Sequence, residues 1–390
     1  MIKKYLVLLM CPLLLVGCQH QSEPTNTETD EVPVQAKIET GPIVIGGIGS
    51  LTGEAAAYGI TDQNIVNLKI EQINQNGGIN GRELQIIWED GKCAPGDASK
   101  AAQKLINVDK VKIILGAVCS GETLAIAPIS EKAEVILFSA LSSSPEITDA
   151  GDFVFRTTPS DDSQAKVMAN YANPRYKKIA VLHEQTDYAV AVANTFKKKY
   201  EGELIIESFL STESDFKTRI TKIKNIEGVD AIYLIPQSPN KGDIIIKQLA
   251  EQEVKLPIIT NEVMAADPAI IAKHKEYIES IGGIVGADFS VPEDSVELQA
   301  LLADYKTKYN EDPAFVSFAA TAADRVEVLA KVLREVADVN DTKAIRDGLY
   351  ATQGFNEGII KNLSFDQNGD ANVAYSLVKF NGETFAPFTE

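Results

Sequence analysis

The chain has 390 residues, of which 45% are hydrophobic, and its formal net charge is −18. This length exceeds one ordinary domain, so two folded lobes are expected. The strong negative charge argues against nucleic acid or an anionic lipid surface as a binding partner.

Residues 1–17 have the features of a secretion signal. Lys3 and Lys4 precede an apolar run, residues 5–16, that is too short to span a bilayer comfortably. The sequence Leu15-Val16-Gly17-Cys18 is similar to a bacterial lipobox, in which the cysteine is lipidated and becomes the mature N-terminus. We therefore expect an exported lipoprotein, anchored to the cell membrane only through Cys18 and facing the periplasm or the cell exterior. The alternatives are an ordinary signal peptide and a buried apolar segment.

A tether is expected to separate the lipid from the folded part of the chain. Residues 18–42 are polar and acidic and show no hydrophobic period, which is typical of disorder. The first predicted strand, residues 43–48, runs into a glycine-rich turn that ends at Gly53. Such a turn alone is weak evidence for a dinucleotide site, and an exported lipoprotein rarely meets a free nicotinamide cofactor.

Strands and helices alternate through the first two thirds of the chain. The predicted strands are 43–48, 84–89, 112–118, 134–138 and 153–157, followed after Asp161 by 178–182, 204–209, 231–235 and 257–260. Helices are predicted between them, for example where Val66, Ile70 and Ile73 recur at helical spacing. This alternation predicts an α/β protein with two doubly wound parallel sheets.

The last third is predicted to be mainly helical. Val326, Leu329, Leu333 and Val336 indicate one long amphipathic helix. Two closing strands, 359–365 and 373–380, are predicted to flank a turn at residues 366–370. The turn weakly resembles a calcium loop but lacks the ligand spacing and the distal glutamate, so a hairpin is the better interpretation.

Two cysteines remain in the predicted mature chain, since Cys11 leaves with the signal and Cys18 takes the lipid. Cys93 and Cys119 each follow a predicted strand, and adjacent parallel strands would bring them to one edge of the sheet. In an oxidising compartment they are expected to form a disulfide; the alternative is two unrelated thiols. No CxxC or HxxH spacing accompanies them, so a zinc site is not expected.

Hydroxyl-rich loops follow two neighbouring strands of the first predicted sheet. One strand ends at Cys119-Ser120, and the next is followed by Ser142, Ser143 and Ser144. Ligands bind at this edge of open parallel sheets, and hydroxyls beside a helix N-terminus suit an anionic group. The alternative is that the serines form only a turn and a helix cap. Glu122 is interpreted as a first-turn carboxylate that favours the helix dipole.

The sequence does not predict an enzyme. Its three histidines are His20, His183 and His274, and it contains no GxSxG elbow, HExxH motif or paired catalytic carboxylates. We predict neither a metal site nor a cofactor.

A series of short motifs resembles one family. In order, they are Ala57-Tyr58-Gly59, Asn76-Gly77-Gly78-Ile79-Asn80-Gly81, Cys93 with Cys119-Ser120, Ser144-Pro145-Glu146-Ile147-Thr148 and Arg156-Thr157-Thr158. Across residues 43–385 the chain resembles the type I periplasmic binding proteins of ABC transporters, specifically the leucine/isoleucine/valine-binding group.

The resemblance implies two Rossmann-like lobes joined by a three-strand hinge, with crossovers near residues 161, 290 and 371. Lobe 1 is then residues 43–160 plus 290–370, and lobe 2 is residues 161–289 plus 371–390. A ligand would sit in the cleft between the lobes, which close on it. A monomer is expected, with an ABC permease as its partner in the membrane.

The resemblance also implies ligand-binding residues. Ser120 and Ser143 would hold a carboxylate, with Ser143 also near the ammonium, and Glu262 would pair with that ammonium. The side-chain pocket would be walled by Tyr58, Tyr188 and Phe315. The alternatives are packing roles for the tyrosines and a solvated loop charge for Glu262.

The chain also departs from the family pattern. Gly121 and Glu122 replace hydroxyls, Leu141 replaces a smaller residue, and Gln237 stands where an aromatic is common.

The resemblance makes the leading hypothesis a receptor that delivers a small, branched-chain-like amino acid to a permease. A sensing module for a membrane receptor or kinase, a binder of a related amide or small acid, and a secreted enzyme are the alternatives.

Overall fold

The structure is a computed structural model that describes residues 41–289, 291, 292 and 294–388. The predicted signal peptide, lipidation site Cys18 and most of the predicted tether lie outside the described residues.

The first sheet has five parallel strands in the order β2-β1-β3-β4-β5. They are β1 (Ile43–Gly49), β2 (Leu84–Asp90), β3 (Ile113–Gly116), β4 (Ile136–Ser139) and β5 (Val154–Arg156). Helices α1 (Ala56–Gln75), α2 (Pro95–Asn107) and α3 (Ser120–Ala133) connect the first four. The central strand β3 is fully buried, as its unbroken apolar sequence predicts for a strand covered on both faces.

The second sheet has seven strands in the order β12-β11-β10-β9-β8-β6-β7. Its parallel part comprises β6 (Lys178–Glu184), β7 (Glu203–Phe209), β8 (Ala231–Ile235), β9 (Ile258–Thr260) and β10 (Ile284–Phe289). Four helices of this part are α4 (Asp161–Ala172), α5 (Asp187–Lys199), α6 (Lys217–Lys224) and α7 (Pro239–Glu251). Three short helices follow β9: α8 (Glu262–Ala266), α9 (Pro268–Ala272) and α10 (Lys275–Ser280).

The two sheets share one topology, which confirms the prediction of two doubly wound sheets. The order β7-β6-β8-β9-β10 repeats the order β2-β1-β3-β4-β5 of the first sheet. Consequently β8 is the counterpart of β3, and β9 is the counterpart of β4. In both sheets the loops after these strands lie at the carboxyl edge, where doubly wound sheets bind ligands.

The helices of the last third pack on the first sheet. They are α11 (Val296–Tyr309), α12 (Val316–Glu335) and α13 (Thr342–Tyr350). Helix α12 lies against α1 and α13, and most of its residues are buried. The chain then returns to the second sheet as β11 (Tyr375–Phe380) and β12 (Phe385–Pro387), which continue it antiparallel from β10.

The predicted strand over residues 359–365 is wrong. Its apolar residues are buried, but it makes only isolated bridges, Phe355 with Leu363 and Phe365 with Ala371. The physical reason lies in α12, where the Asp324 carboxylate accepts the N–H groups of Ile359 and Ile360, each at 2.7 Å. A side chain therefore satisfies backbone donors that a neighbouring strand would otherwise take. The turn at 366–370 is present, closed by the Asp366 N–H donating to Asp370 O at 2.9 Å.

A buried ion pair joins the end of β5 to the segment that precedes β11. Arg156, at the end of β5, is fully buried. Its Nε donates to Asp370 Oδ1 at 2.6 Å, and its Nη2 donates to Asp370 Oδ2 at 2.7 Å. Arg156 also donates to Ser144 O at 2.8 Å. This bidentate geometry fixes the segment before β11 against the end of β5.

None of the helices in the described ranges is both long and apolar enough to cross a membrane.

Candidate functional site

A cavity lies where the carboxyl edges of the two sheets face each other. Its walls come from the loops after β1, β3 and β4 on one side and after β6, β8 and β9 on the other. The lining residues are Ala55, Tyr58, Val118, Cys119, Ser120, Leu141, Ser143, Tyr188, Gln237, Glu262, Val263 and Phe318.

Every ligand-binding residue predicted from the sequence lines this cavity, except Phe315. Phe315 is buried behind the cavity and stacks on the Tyr58 ring at a centroid distance of 3.9 Å. Phe318, one helical turn further along α12, forms the wall instead and meets Tyr58 edge-on. Phe318 was not predicted from the sequence. The signal that could have identified it is its spacing of three residues from Phe315, since residues three apart on a helix share one face.

Only one of the three consecutive serines faces the cavity. Ser142 Oγ lies 2.7 Å from Thr123 Oγ1 and donates to Ala117 O and Val118 O, so it ties two loops together. Ser144 Oγ accepts the N–H of Glu146 at the start of a short 3-10 helix. Turn and cap roles thus account for Ser142 and Ser144, whereas Ser143 lines the cavity.

Ser120 stands at the first position of α3, with its side chain in the same cavity. Its Oγ accepts the Ser144 N–H at 3.2 Å, which holds the β3 and β4 loops side by side. Since Ser120 is the first residue of α3, the positive end of the helix dipole lies beside the cavity. This end of the cavity suits an anionic group.

The buried carboxylate of Glu122 holds together the loops that carry the hydroxyl-bearing end of the cavity. This carboxylate accepts the N–H groups of Cys119 and Cys93, both at 2.9 Å, and the hydroxyl of Ser50 at 3.0 Å. Burial raises the pKa of Glu122, and these hydrogen bonds oppose that shift. The carboxylate forms a capping box at the start of α3 and also joins the loops after β1 and β2 to it.

The predicted disulfide between Cys93 and Cys119 is confirmed. The two Cα atoms are 5.3 Å apart, within the normal range for a disulfide. The bond links the loop after β2 to the N-terminus of α3, directly before Ser120.

Glu262 forms the opposite end of the cavity. It is 1% exposed, so the alternative of a solvated loop charge is wrong. Tyr188 donates its hydroxyl to Glu262 Oε1 at 2.6 Å, and Gln164 donates its amide nitrogen to Glu262 Oε2. Asn261 in turn donates to the Tyr188 hydroxyl at 2.9 Å and to Pro236 O at 2.8 Å. The carboxylate is thus held in one orientation with no cationic side chain among its described partners.

A second buried carboxylate lies behind Glu262. Asp161 Oδ1 accepts from Gln164 at 2.8 Å and from the Tyr375 hydroxyl at 3.1 Å. Burial raises the pKa of Asp161 to about 6, against the opposing effects of hydrogen bonds and the Arg156 charge. Burial, and next the Asp161 charge, raise the pKa of Glu262 well above its ordinary value. This end of the cavity therefore stabilises a cation that replaces a proton.

Two tyrosines complete the wall between the two ends. Burial, and next the Glu262 charge, raise the pKa of both Tyr58 and Tyr188 well above the ordinary value, so both phenols stay neutral. The Tyr58 hydroxyl is buried and finds no hydrogen-bond partner within the described ranges. Tyr188 orients Glu262, whereas Tyr58 offers an aromatic face and a free hydroxyl to a ligand.

Side chains from the two sheets contact each other at the edge of the cavity. Lys241 Nζ at α7 lies 3.4 Å from Glu54 Oε1, and Gln237 Nε2 donates to Cys93 Sγ at 2.9 Å. These contacts join the loop after β8 and helix α7 to the loops after β1 and β2. The cavity is therefore covered on this side.

Several residues of the site were not predicted. Both Gln164 and Asp161 lie in the first turn of α4, where Gln164 donates to Glu262 and to Asp161. Val118, Val263 and Ala55 are ordinary apolar neighbours of predicted site residues, and nothing in their sequence pattern distinguishes them from core residues.

Two α/β sheets with facing carboxyl edges, and between them a mainly apolar cavity that carries a few polar side chains, define a two-lobed solute-binding protein. The family model described as "Periplasmic binding protein" matches residues 42–384, and the chain belongs to this family. The family consists of substrate-binding proteins rather than enzymes, and membership implies an extracytoplasmic location.

The chain is also similar to individual members. It is 30% identical over 338 residues to the leucine-, isoleucine-, valine-, threonine-, and alanine-binding protein of Pseudomonas aeruginosa, covering 84% of this chain and 87% of that one. The branched-chain amino acid transporter substrate binding protein LivJ of Streptococcus pneumoniae, solved with isoleucine, superposes with a TM-score of 0.75 at 27% identity, covering 88% and 97% of the two chains. The leucine binding protein LivK of Thermotoga maritima gives 0.76 at 25% identity, covering 89% and 98%.

Proposed function

We propose that this chain is an extracytoplasmic solute-binding lipoprotein of an ABC transporter that captures a small α-amino acid of branched-chain size. The observation that carries this proposal is the separation of charge preference within one cavity. The first sheet supplies Ser120 and Ser143 beside the start of α3, and the second sheet supplies the buried carboxylate of Glu262.

The two ends match the two charged groups of an α-amino acid. A carboxylate at the first end receives hydroxyls, backbone N–H groups and the positive end of the α3 dipole. An ammonium at the second end receives Glu262, whose described partners are all uncharged donors. A simple acid would leave Glu262 without a counter-charge, and a simple amine would leave the first end empty.

The remaining wall suits a compact side chain. Ala55, Val118, Leu141, Val263 and Phe318 present apolar surface around the centre of the cavity. The names of the relatives point to the same size class, since they include leucine, isoleucine, valine, threonine and alanine. A small amino acid buries most of its surface in such a cavity.

Capture would proceed by closure of two lobes, with residues 43–160 and 290–370 forming one and residues 161–289 and 371–390 forming the other. The ends of the cavity come from different sheets, so a bound amino acid would bridge them and favour the closed form by its differential contacts. The crossovers near residues 161, 290 and 371 would act as the hinge. The closed, liganded monomer would then be recognised by a membrane permease.

Attachment to the membrane would depend on Cys18. The lipobox-like sequence before it and the acidic segment after it suit a lipid anchor with a flexible tether. Such a tether would keep the binding protein close to its permease and raise the effective concentration of their encounter.

The proposal is tested by a thermal-shift screen on protein that has been unfolded, dialysed and refolded to remove bound ligand. The screen contains the standard amino acids and, for each one that stabilises the protein, two matched analogues that lack the ammonium or the carboxylate. A true ligand at 100 times its Kd should stabilise the folded state by about 2.7 kcal/mol. Stabilisation by at least one amino acid, with none from its two analogues, is the expected result. Equal stabilisation by the ammonium-free acid, or none by any amino acid, would contradict the proposal.

A further inference from the structure

A second pocket adjoins the cavity on the far side of Gln237; this chamber is lined by charged and hydroxyl side chains among mainly apolar surface. Gln237 and Ala55 line both spaces, and the disulfide continues the boundary because Cys119 faces the cavity and Cys93 faces the chamber. One flexible side chain and one disulfide therefore separate the two spaces.

Ser238 lines this chamber with an unused hydroxyl. The residue is 6% exposed, and its Oγ has no hydrogen-bond partner in the part of the chain that the structure describes. Ser238 stands at the N-cap of α7, where a serine Oγ ordinarily accepts a backbone N–H, yet it makes no such bond here. Since buried polar groups are almost always paired, this hydroxyl is available for a ligand.

Gln237 is also able to exchange its partner. Its side-chain amide nitrogen donates to Cys93 Sγ, and a disulfide sulfur is a weak acceptor. Its backbone N–H donates to Glu184 Oε2 at 2.8 Å, which fixes the main chain while the side chain is free to turn. An oxygen acceptor on a ligand would therefore form a stronger hydrogen bond with the Gln237 amide than the sulfur does.

The place of these two residues in the fold supports a ligand role. The loop after β8 is the counterpart of the loop after β3, which carries Ser120 at the start of α3. Ser238 and α7 repeat that arrangement in the second sheet. Gln237 and Tyr58 are, moreover, the polar side chains of the cavity lining that the proposed contacts to the carboxylate and the ammonium leave unused, and only Gln237 lies next to Ser238.

We propose that the bound amino acid has an uncharged, hydrogen-bonding side chain, whose polar end is received by the Gln237 amide and the Ser238 hydroxyl. This inference rests on the proposed function, since it assigns the direction of the side chain of an amino acid held at Ser120 and Glu262. It makes Gln237 a specificity-determining residue that favours threonine over valine and asparagine over leucine, at nearly equal size.

The charges around the chamber favour a neutral group over an anionic one. Glu54 and Glu184 line it together with Lys92. Glu54 pairs with Lys241, while Glu184 holds the Gln237 backbone. Lys241 is paired with Glu54, and Lys92 lies 3.9 Å from Asp97. Glu184, in contrast, has no cationic partner among the described residues, so an anionic side chain would meet the Glu184 charge and a hydroxyl or an amide would not be repelled.

Calorimetry with two isosteric ligand pairs tests the inference. Threonine is compared with valine and asparagine with leucine, on the wild-type protein and on Gln237→Met, Ser238→Ala and Gln185→Met. One hydrogen bond between neutral groups should make the polar member bind roughly 3- to 10-fold more tightly. Gln237→Met should abolish this preference. Ser238→Ala removes a hydroxyl with no described protein partner, so it should fold normally and reduce the preference without reversing it. Gln185→Met makes the same chemical change at an exposed position at the end of β6 and should leave the preference unchanged.

The outcomes separate this inference from the function on which it rests. Tighter binding of valine and leucine in the wild type, or a polar preference that survives both Gln237→Met and Ser238→Ala, overturns the inference and leaves an amino-acid-binding protein. Failure of every amino acid to bind overturns both.

Discussion

Asp161 and Glu262 share one hydrogen-bond donor, the side-chain amide nitrogen of Gln164. Both carboxyl groups are buried, and the charge of Asp161 raises the pKa of Glu262. Burial and the Asp161 charge both favour the protonated form of Glu262, so a proton on Glu262 is held more tightly than on an exposed carboxyl. The ammonium of a bound amino acid would supply the missing positive charge and displace that proton.

The first prediction is therefore that ligand binding releases a proton. In the empty protein the pKa of Glu262 is raised, and a bound ammonium would lower it, so the liganded form binds fewer protons. By linkage, affinity should rise with pH through the window above the ordinary carboxyl pKa and should level off once the pair is ionised. Calorimetry at one pH in two buffers with different ionisation enthalpies measures the proton release. Identical heats in the two buffers would rule out this linkage.

Removing the Glu262 charge should nearly abolish binding. Loss of one partner from a buried charge pair costs about 2–5 kcal/mol, so Glu262→Gln should weaken affinity by roughly 30-fold or more. The variant should also lose the pH dependence, because the ligand no longer competes with a proton there. Glu251→Gln, which removes a carboxylate from the end of α7 outside the cavity lining, is the matched control. Wild-type affinity in Glu262→Gln would show that the ammonium binds elsewhere.

Two adjacent serines should give opposite phenotypes. Ser143→Ala removes a cavity hydroxyl, so affinity should fall about 3- to 10-fold, and stability should fall less than in Ser142→Ala because the Ser143 hydroxyl interacts with the buried Asp161 carboxyl. Ser142→Ala leaves Thr123 Oγ1 without its 2.7 Å partner. It should therefore lower the free energy of unfolding by about 1–3 kcal/mol.

Urea unfolding of the empty proteins and calorimetry of binding separate the two effects. The assignment of Ser143 to ligand binding is wrong if Ser143→Ala loses stability instead of affinity.

The architecture was largely predictable because it depends on local patterns. Unbroken apolar runs such as β3 and β8, each ending in a polar loop, placed most strands and located the ligand edge. Strand 359–365 was mispredicted because its apolar residues are buried without pairing as a strand, and Asp324 of α12 accepts the N–H groups of Ile359 and Ile360. The partnership of Gln164 with Glu262 was not predictable, since the two residues are 98 positions apart and meet only in the folded chain.

Anchoring is a separate prediction, because Cys18 lies outside the described residues. If Cys18 is lipidated, Cys18→Ala should move the protein from the membrane fraction to the soluble fraction or leave an uncleaved precursor. Membrane partition and the mass of the mature protein are the measurements. Cys11→Ala, within the predicted signal peptide, should leave both unchanged. A membrane partition and mature mass that stay the same in Cys18→Ala would refute lipidation.

The last prediction concerns the disulfide, which connects stability to ligand binding. Cys93 and Cys119 are 26 residues apart, and cross-linking a loop of this size stabilises the folded state by roughly 3 kcal/mol in the chain-entropy model. Cys119 immediately precedes Ser120, and Cys93 donates its N–H to Glu122, so the bond also holds the hydroxyl-bearing end of the cavity in place. The double variant Cys93→Ala/Cys119→Ala should lose stability of this order in urea and should bind the amino acid more weakly.

Reduction of the wild type provides an independent measurement of the same effect. A reductant such as dithiothreitol should lower the urea midpoint and the affinity of the wild type together, because it frees the loop after β2 from α3. The same reductant should change neither quantity in the double variant, which has no bond to break. If reduction lowers stability but leaves affinity intact, the Glu122 hydrogen bonds to Ser50 and to the Cys119 N–H are sufficient to hold Ser120 without the covalent link.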